Sequence, residues 1–222
     1  MSSLGFPSPL KICVILFDLL RTALWTPGGT RRKGRREGRD LESVIERAQG
    51  HDTQALGEIH RRYFRRVFGL CRHMLDSRES AEDATSEVFL KLQRSIESYD
   101  GSIPFPRWLL RVAGNQCIDV LRRRRRGRRV IVEVEYGAAV VEAASSEPSP
   151  LGSVIRMEER AQLQAAIACL PENFRLPLVL RYYSELSYDE IGQQLGLERN
   201  HVAALIFRAK LELRRKLAHR SK

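Results

Sequence analysis

Apolar residues recur at steps of three and four along much of the chain, and this spacing is the strongest constraint on its fold. From Asp52 onward, one such stripe comprises Leu56, Ile59, Tyr63, Val67, Leu70 and Met74. A period near 3.6 residues is typical of helices that bury one face. Further helices are predicted to start at Ser80, with a capping-box-like Asp83, and to run from about Arg107 to Arg125. The sequence therefore predicts an all-α protein.

A change in composition divides this helical pattern into two small domains. The segment Val130–Ser153 contains four glutamates and no basic residue, and its end is rich in serine and proline. Such segments are typical of flexible linkers. We therefore expect one helical domain at 46–127, an acidic flexible linker at 128–154, and a second helical domain at 155–222.

Residues 1–45 do not share the helical pattern and are predicted to be a disordered or atypical N-terminal extension. Leu10–Trp25 is apolar but interrupted by charges, and it is shorter than the roughly 20 residues that span a bilayer. A signal peptide fits poorly, because no basic segment precedes the apolar stretch and no small-residue cleavage site follows it. The Gly/Arg-rich stretch Thr30–Arg39 should be solvated. The extension is interpreted as dispensable, as the product of an upstream start codon, or as a weak tether to membrane or nucleic acid.

The charge of the chain favours a polyanionic partner. Its formal net charge is +11, and seven of the eight positions from Arg122 to Arg129 are arginine. Adjacent guanidinium groups repel one another, so the run is expected to face an anion such as a nucleic-acid backbone. Net charge alone does not separate DNA from RNA or from an anionic membrane.

The helix that leads into the arginine run has features suited to single-stranded nucleic acid. Asn115 and Asp119 are four residues apart, and Trp108 lies further back on the same helix. Bases stack on aromatic rings for about 1–3 kcal/mol each, while guanidinium groups hold phosphates. The alternative is that Trp108 belongs to the core and that Asp119 forms an ordinary intrahelical pair with Arg123.

The C-terminal domain has the pattern of a helix-turn-helix. Ser187 and Glu190 form a predicted capping box, Gly196 makes the turn, and a long helix is expected from about Asn200 to Leu217. The buried stripe of that helix comprises Val202, Ile206, Ala209, Leu213 and Leu217. The second helix of such a unit normally enters the DNA major groove.

The sequence gives no support for metal or cofactor chemistry. Neither the five histidines nor the four cysteines have the spacing of metal ligands, so buried free thiols in a reducing cytosol are expected. The cysteines are Cys13, Cys71, Cys117 and Cys169. An enzyme acting on nucleic acid would need converging carboxylates, and the acidic group Glu82, Asp83 and Glu87 is better explained as a docking or solvated face. We expect no enzymatic activity, no cofactor and no small-molecule substrate.

Two blocks of the sequence resemble regions 2 and 4 of bacterial RNA polymerase sigma factors of the sigma-70 family, in particular the extracytoplasmic-function (ECF) group. In the first block, the matching motifs are Ala81-Glu-Asp-Ala-Thr-Ser-Glu-Val-Phe-Leu-Lys-Leu, Phe105-x-x-Trp108-Leu and Asn115-x-x-x-Asp119-x-Leu-Arg-Arg. In the second, they are Leu170-Pro-Glu-x-x-Arg175, Leu180-Arg-Tyr-Tyr and Leu186-Ser-Tyr-x-Glu-Ile191-Gly. Both blocks stand in the order and spacing of that family.

The resemblance implies a cytoplasmic promoter-specificity factor that performs no chemistry itself. It implies binding to core RNA polymerase, through the clamp helices of the largest subunit and the flap, to promoter DNA, and to an anti-sigma factor. The implied core-polymerase residues are Glu82, Asp83, Glu87 and Lys91. The implied −10 DNA-binding residues are Phe105, Arg107, Trp108, Asn115, Asp119, Arg122 and Arg123.

The start of the recognition helix departs from the family pattern. Where the family commonly carries lysine, serine and arginine, this chain has Ala203, Ala204 and Leu205. The expected −35 DNA-binding residues are Arg199, Asn200, His201, Ala203, Ala204, Phe207, Arg208 and Lys210. Because alanine and phenylalanine can touch thymine methyl groups but cannot form bidentate hydrogen bonds, we expect weak, shape-biased or T-rich −35 recognition. The same departure leaves open a sigma-like decoy that sequesters an anti-sigma factor without binding promoter DNA.

Overall fold

The structure is a computed structural model that describes residues 34–128 and 161–220, with side chains over 40–126 and 161–217. The regular structure of this part of the chain is helical. The first domain contains α1 (Gly34–Gln49), α2 (Thr53–Met74), α3 (Arg78–Ser95), a 3₁₀ turn (Ile96–Ser98) and α4 (Phe105–Arg128). The second contains α5 (residues 161–168), α6 (Glu172–Tyr183), α7 (Tyr188–Leu195) and α8 (Arg199–Arg220).

Side chains at the helix ends explain where several of these helices begin. The Asp52 carboxylate accepts from the backbone N–H groups of Gln54 and Ala55 at the start of α2. Ser187 and Glu190 form the predicted capping box of α7, and Gly196 ends that helix with a φ of 72°. These contacts satisfy backbone donors that a helix start leaves unpaired, and glycine adopts the left-handed conformation without a Cβ clash.

The N-terminal boundary of the first domain differs from the expectation. Residues 34–45 were assigned to an extension because of their Gly/Arg composition, yet α1 begins at Gly34 and buries Val44, Ile45 and Ala48. The side-chain amide of Gln49 donates to the carbonyls of Ile96 and Tyr99, which fixes α1 to the turn after α3. An apolar stripe within a basic segment is sufficient to dock this helix. Residues 1–33, which include Cys13, lie outside the described part of the chain.

Other boundaries differ from the predictions by a few residues. The helix expected to start at Ser80 is capped by Ser77 and begins at Arg78. The helix expected from Arg107 to Arg125 spans Phe105–Arg128. The expected linker at 128–154 and the first residues of the expected second domain, 155–160, lie outside the described residues, apart from Arg128 at the end of α4.

The two helical domains share one continuous apolar core. Helix α6 packs against α2, and α7 packs against α4. The Tyr183 hydroxyl of α6 donates to the backbone carbonyl of Arg66 on α2 at 2.9 Å. A chain with a long linker can separate its domains, but in this structure the two domains are in direct contact.

Candidate nucleic-acid and polymerase interfaces

The polar face of α4 contains most of the predicted −10 residues. Asn115, Arg122 and Arg123 are exposed, and Asp119 is half-buried. The carboxylate of Asp119 lies 3.8 Å from the Lys91 ammonium of α3. Arg123 donates to the backbone carbonyl of Asp119 and not to its carboxylate. The Asp119 and Arg123 side chains therefore do not form the predicted intrahelical pair. The polar face of α4 presents hydrogen-bond donors together with one carboxylate.

Phe105 lies in the core, contrary to its predicted role in contacting DNA. Its side chain is 2% exposed and packs against the rings of Tyr63, Tyr99 and Trp108, with centroids 5.3 to 5.7 Å away. The indole of Trp108 is half-buried, packing on the core while keeping part of its surface accessible. Phe105 therefore supports Trp108 from within the core. Of the two rings, only that of Trp108 is accessible to a base.

Helix α7 of the second domain covers part of this face. The Arg107 guanidinium lies 2.7 Å from the Glu190 carboxylate, and Arg111 lies 3.8 Å from it. Arg122 donates to the backbone carbonyl of Gln194 at 2.9 Å. Burial acts to raise the pKa of Glu190, but hydrogen bonds from Ser187 and the charge of Arg107 outweigh it, and the pKa is lowered below its ordinary value. The carboxylate that caps α7 is thus also the partner of two arginines on α4.

Part of the arginine run is also engaged within the protein. Arg125 pairs with Glu172 at the start of α6 at 2.6 Å, and Arg124 donates to the Ser80 hydroxyl of α3. Repulsion along the run was expected to require an anionic partner outside the protein. In this structure, carboxylates and carbonyls of the second domain supply part of that compensation.

A polar cavity of about 430 Å³ remains between the two domains. Its lining includes Lys91, Asn115, Asp119, Arg122 and Gln194. Gln194 is 8% exposed, and neither polar atom of its side-chain amide bonds to a protein group in the described part of the chain. The amide lines this cavity together with the polar side chains of α4.

The predicted polymerase-binding carboxylates form an exposed face of α3. Glu82, Asp83 and Glu87 are exposed, and Glu82 pairs with Arg78 one turn earlier at 2.8 Å. Lys91 differs from them, because it turns toward Asp119 and lines the interdomain cavity. The three carboxylates therefore lie together on the exposed face of α3, whereas Lys91 lies beside the predicted −10 residues of α4.

An aromatic cluster next to these carboxylates was missed by the sequence reasoning. Phe64 of α2 and Leu90 of α3 are 39% and 46% exposed, which is high for large apolar side chains. Ring contacts connect His60, Phe64, Phe68 and Phe89 across the groove between α2 and α3. Exposed apolar clusters of this kind are typical of protein interfaces. The sequence signal was the pair Phe64 and Phe68, four residues apart and off the buried stripe.

The recognition helix α8 presents an apolar outer face. Phe207 is 63% exposed, Leu211 is 45% exposed, and Ala204 is also exposed. The polar residues of its first turn are exposed as well: Arg199, Asn200 and His201. The expected buried stripe is confirmed for Val202, Ile206, Ala209 and Leu213, and it also includes Leu205.

Three of the predicted −35 residues have local partners or reduced exposure. Arg199 lies 3.7 Å from Asp189, and the Lys210 ammonium lies over the Tyr182 ring at 5.2 Å. Ala203 is half-buried, whereas Arg208 is exposed. The outer surface of α8 thus combines a polar first turn, a central apolar patch and one exposed arginine beside Phe207.

The described cysteines are free thiols, as expected, but only two of the three are buried. Cys71 and Cys117 are buried, and their sulfur atoms are 3.6 Å apart between α2 and α4. Cys169 is exposed, because it lies at the end of α5, where the helix gives way to a turn. Within residues 34–128 and 161–220, no cluster of His, Cys, Asp and Glu could hold a metal ion. No helix in that part of the chain is long and apolar enough to cross a membrane.

Comparison with known proteins yields two family models and several relatives. Residues 59–127 match the model of sigma-70 region 2, and residues 160–213 match that of sigma-70 region 4. The chain is 30% identical over 180 residues to the ECF RNA polymerase sigma factor SigW of Bacillus subtilis, covering 80% of this chain and 96% of that protein. It is 34% identical over 164 residues to SigE of Mycolicibacterium smegmatis, covering 74% of this chain and 62% of that protein.

Among solved structures, the fold is similar to that of a sigma factor from Bartonella quintana. That protein, RpoE, was crystallised with the anti-sigma factor NepR, and the match has a TM-score of 0.55 at 16% identity. It covers 73% of this chain and 96% of that one. The likeness concerns the fold.

Proposed function

Since this chain belongs to the extracytoplasmic-function group of the sigma-70 family of RNA polymerase sigma factors, we propose that it binds core polymerase through α3 and reads promoter DNA through α4 and α8. The observation that carries the proposal is the presence of two different DNA-binding designs in one chain. A polar, partly aromatic helix suits an opened strand, and a basic helix-turn-helix suits a duplex. The family comprises transcription regulators, and we propose that this member has no enzymatic activity and acts in the cytoplasm.

The proposed core-polymerase surface combines charge with apolar area. Glu82, Asp83 and Glu87 are solvated on α3, and Leu90 continues the same face one turn later. Phe64 extends it onto α2. An apolar centre beside a charged rim is the usual composition of a protein interface. The clamp helices of the largest polymerase subunit are the proposed partner here, and the flap is the proposed partner of the second domain.

The proposed −10 surface is the polar face of α4 with the accessible edge of Trp108. Asn115 can donate to and accept from base edges, and Arg122 and Arg123 can hold phosphates. Asp119 and Arg107 complete the surface as side chains that already form ion pairs in this structure. The ring of Phe105 is buried against Trp108, which supports a role for Phe105 in positioning the indole and not in contacting DNA.

The proposed −35 surface is the outer face of α8. The exposed ring of Phe207 and the methyl group of Ala204 suit contacts with thymine methyl groups, and Arg199, Asn200, His201 and Arg208 supply hydrogen bonds or phosphate contacts. Each good bidentate contact contributes about 1–3 kcal/mol of discrimination, and Ala203 and Ala204 cannot form one. We therefore propose a degenerate, T-rich −35 element, with an anti-sigma factor as a further partner of the protein.

Run-off transcription tests this function directly. Purified core polymerase would transcribe sheared genomic DNA with and without the protein, and discrete new transcripts with shared upstream sequences are expected. Aligning those sequences would show whether the −35 element is degenerate and T-rich. If the folded protein gave no transcripts while a known sigma factor did, the sigma-like decoy would replace the proposal.

Charge reversal tests the core-polymerase surface. Asp83→Lys with Glu87→Lys should reduce core binding by roughly a hundredfold or more, because two favourable charges become repulsive at the interface. The matched control is Glu42→Lys with Glu46→Lys, which makes the same change in net charge on the exposed surface of α1. Binding by size-exclusion chromatography or interferometry would measure both variants. Equal affinities in the two variants would contradict the assignment of this face.

A further inference from the structure

We propose that Cys71 and Cys117 are a site of reversible oxidation, at which a peroxide converts the two thiols into a disulfide that joins α2 to α4. The site is separate from the proposed polymerase and promoter surfaces, because both side chains lie in the core of the first domain. The oxidant is of the class of small, uncharged peroxides, of which hydrogen peroxide is the simplest.

The two thiols already lie close to the arrangement of a disulfide. The Cys117 thiol donates to the Cys71 sulfur, and the two sulfur atoms are 3.6 Å apart. They need to approach by about 1.5 Å to reach the roughly 2.05 Å of an S–S bond. Helices α2, α3 and α4 pack against one another here, and the side chain of Thr85 from α3 also contacts Cys71. Rotation of the two side chains, and not separation of the helices, covers a distance of this size.

The hydrogen bond between the thiols makes them chemically unequal. Because Cys117 is the donor, this bond lowers the pKa of Cys71 and outweighs burial, which acts to raise that pKa. The same hydrogen bond, together with burial, raises the pKa of Cys117 well above its usual range. The thiolate is the reactive form of cysteine. Cys71 is therefore the thiol that reacts with the oxidant, and Cys117 is the thiol that attacks the product.

The reaction balances with one peroxide molecule. The Cys71 thiolate attacks one oxygen of hydrogen peroxide, the O–O bond breaks, and the leaving hydroxide takes up the proton that Cys71 released, which gives water and a sulfenic acid. The Cys117 sulfur then attacks the Cys71 sulfur, the S–O bond breaks, and the Cys117 thiol proton leaves with the hydroxide as a second water. Two thiols are oxidised to one disulfide, and the peroxide is reduced to two waters.

Burial determines which reagents reach the site. Cys71 and Cys117 have no exposed surface, whereas Cys169 at the end of α5 is exposed. Bulky or charged reagents therefore react with Cys169 first, and the buried pair reacts with a small uncharged peroxide during local openings of the first domain. Once formed, the disulfide closes a loop across 46 sequence positions, which restricts the unfolded chain. We therefore expect the oxidised protein to be more stable than the reduced protein.

The test uses the full-length chain with Cys13→Ser and Cys169→Ser, which leaves the buried pair as its only thiols. The folded protein is treated with excess hydrogen peroxide, catalase removes the peroxide, and the protein is then unfolded in urea with N-ethylmaleimide. Mass spectrometry should show the loss of two hydrogen atoms, no maleimide adduct, and cross-linked peptides that contain Cys71 and Cys117. Dithiothreitol should restore two maleimide-reactive thiols.

Thermal unfolding gives the second readout. The oxidised protein should have a Tm on the order of 10 °C above that of the reduced protein. The matched control is Cys117→Ala in the same background, which keeps the Cys71 thiol without its partner, so peroxide should produce neither the cross-linked peptides nor the higher Tm. The protein with both native thiols decides the question through its own oxidised and reduced forms, even if this substitution prevents folding.

Two kinds of result would overturn the site. If the folded protein keeps both thiols, or forms the cross-link only when peroxide is added in urea, the two cysteines are ordinary core residues. If oxidation proceeds to a sulfinic acid, or does not raise the Tm, a stabilising reversible disulfide is excluded. None of these measurements uses DNA or polymerase, so their outcome is independent of the proposed function.

Discussion

The two proposed DNA surfaces of this sigma factor differ in how far the rest of the molecule covers them. The −35 surface on α8 is solvent-exposed, with Phe207 at 63%, whereas the −10 surface on α4 is partly covered by α7. The difference follows from chemistry. A face of alanine and phenylalanine offers little for a neighbouring helix to bind specifically, but a row of arginines attracts any carboxylate within reach. An arginine that can bind a DNA phosphate can also bind a carboxylate of the same chain.

This comparison indicates how one chain can separate duplex contact from strand capture. The −35 surface can touch duplex DNA as it stands. On the −10 surface, Arg107 and Arg122 already contact α7, whereas Asn115 and Arg123 are exposed.

The largest expected effect is on the −10 surface. Trp108→Ala with Asn115→Ala should reduce promoter opening on the order of a hundredfold, because each lost stacking or base contact costs about 1–3 kcal/mol. Binding to closed duplex should change much less, since that binding uses α8. Permanganate footprinting measures opening, and gel shift measures duplex binding. Gln93→Ala, at an exposed site on α3, is the control.

Equal losses in opening and in duplex binding would remove the distinction between the two surfaces. Thermal unfolding of the double variant separates a lost DNA contact from lost packing, because Trp108 also contacts Tyr99 and Phe105.

A change of pH is expected to have an intermediate effect, and His73 is its cause. The His73 ring lies 5.8 Å from the Tyr183 ring, where the two domains are in contact. Burial, with the charges of Arg72 and Arg175, lowers the pKa of His73 from 6.5 to about 4. The neutral form of His73 is therefore favoured in the folded protein, which gains most stability from this group above pH 6.5. As pH falls toward 4, the unfolded chain takes up the proton first, and the free energy of unfolding should drop by about 1 kcal/mol between pH 6.5 and 5.5.

Urea unfolding measured across this pH range checks the prediction. The groups that face His73 from α6 are Arg175, which is held by Asp76 at 2.6 Å, and Tyr183. The pKa of Glu190 lies below its ordinary value of 4.5, so its own contribution is lost only at lower pH. His73→Gln should flatten the profile between pH 6.5 and 5.5. A profile unchanged by this substitution would exclude His73 as the cause.

The smallest expected effect is on the −35 surface. Phe207→Ala should weaken binding to T-rich duplex by about threefold and leave binding to a G·C-rich duplex unchanged, because the ring would lose only apolar contacts with thymine methyl groups. The side chain is exposed, so the free energy of unfolding should change by less than about 0.5 kcal/mol. Fluorescence anisotropy with the two duplexes measures the difference. An equal loss on both duplexes would contradict apolar readout.

Local features of the fold could be predicted from the sequence, because they depend on neighbours along the chain. The capping box of Ser187 and Glu190 and the turn at Gly196 were predicted and are confirmed. The predicted buried stripe of α8 is confirmed for four of its five residues, and Leu217 is half-buried. The docking of α1 was missed because its apolar stripe lies in a strongly basic segment. Phe105 was assigned to DNA, whereas its ring is buried between Tyr63 and Tyr99.

Contacts between the domains could not be predicted, because they join residues far apart in sequence. Nothing around Gly69 or Gly114 indicates that Tyr183 and Leu180 would lie above them. The second role of Glu190, beyond its cap, depends on Arg107, which is 83 positions away. The chemical types of the −10 residues could be predicted, but not which of them the second domain would bind.

The central claim is that one chain carries two DNA surfaces of different design, one on α4 for an opened strand and one on α8 for duplex. The most direct test is run-off transcription by core RNA polymerase with the parent protein and with the Trp108→Ala/Asn115→Ala variant. The account predicts discrete transcripts with the parent, and on the order of a hundredfold fewer with the variant at nearly unchanged duplex binding. No transcripts with the folded parent, while a known sigma factor gives them, would contradict it.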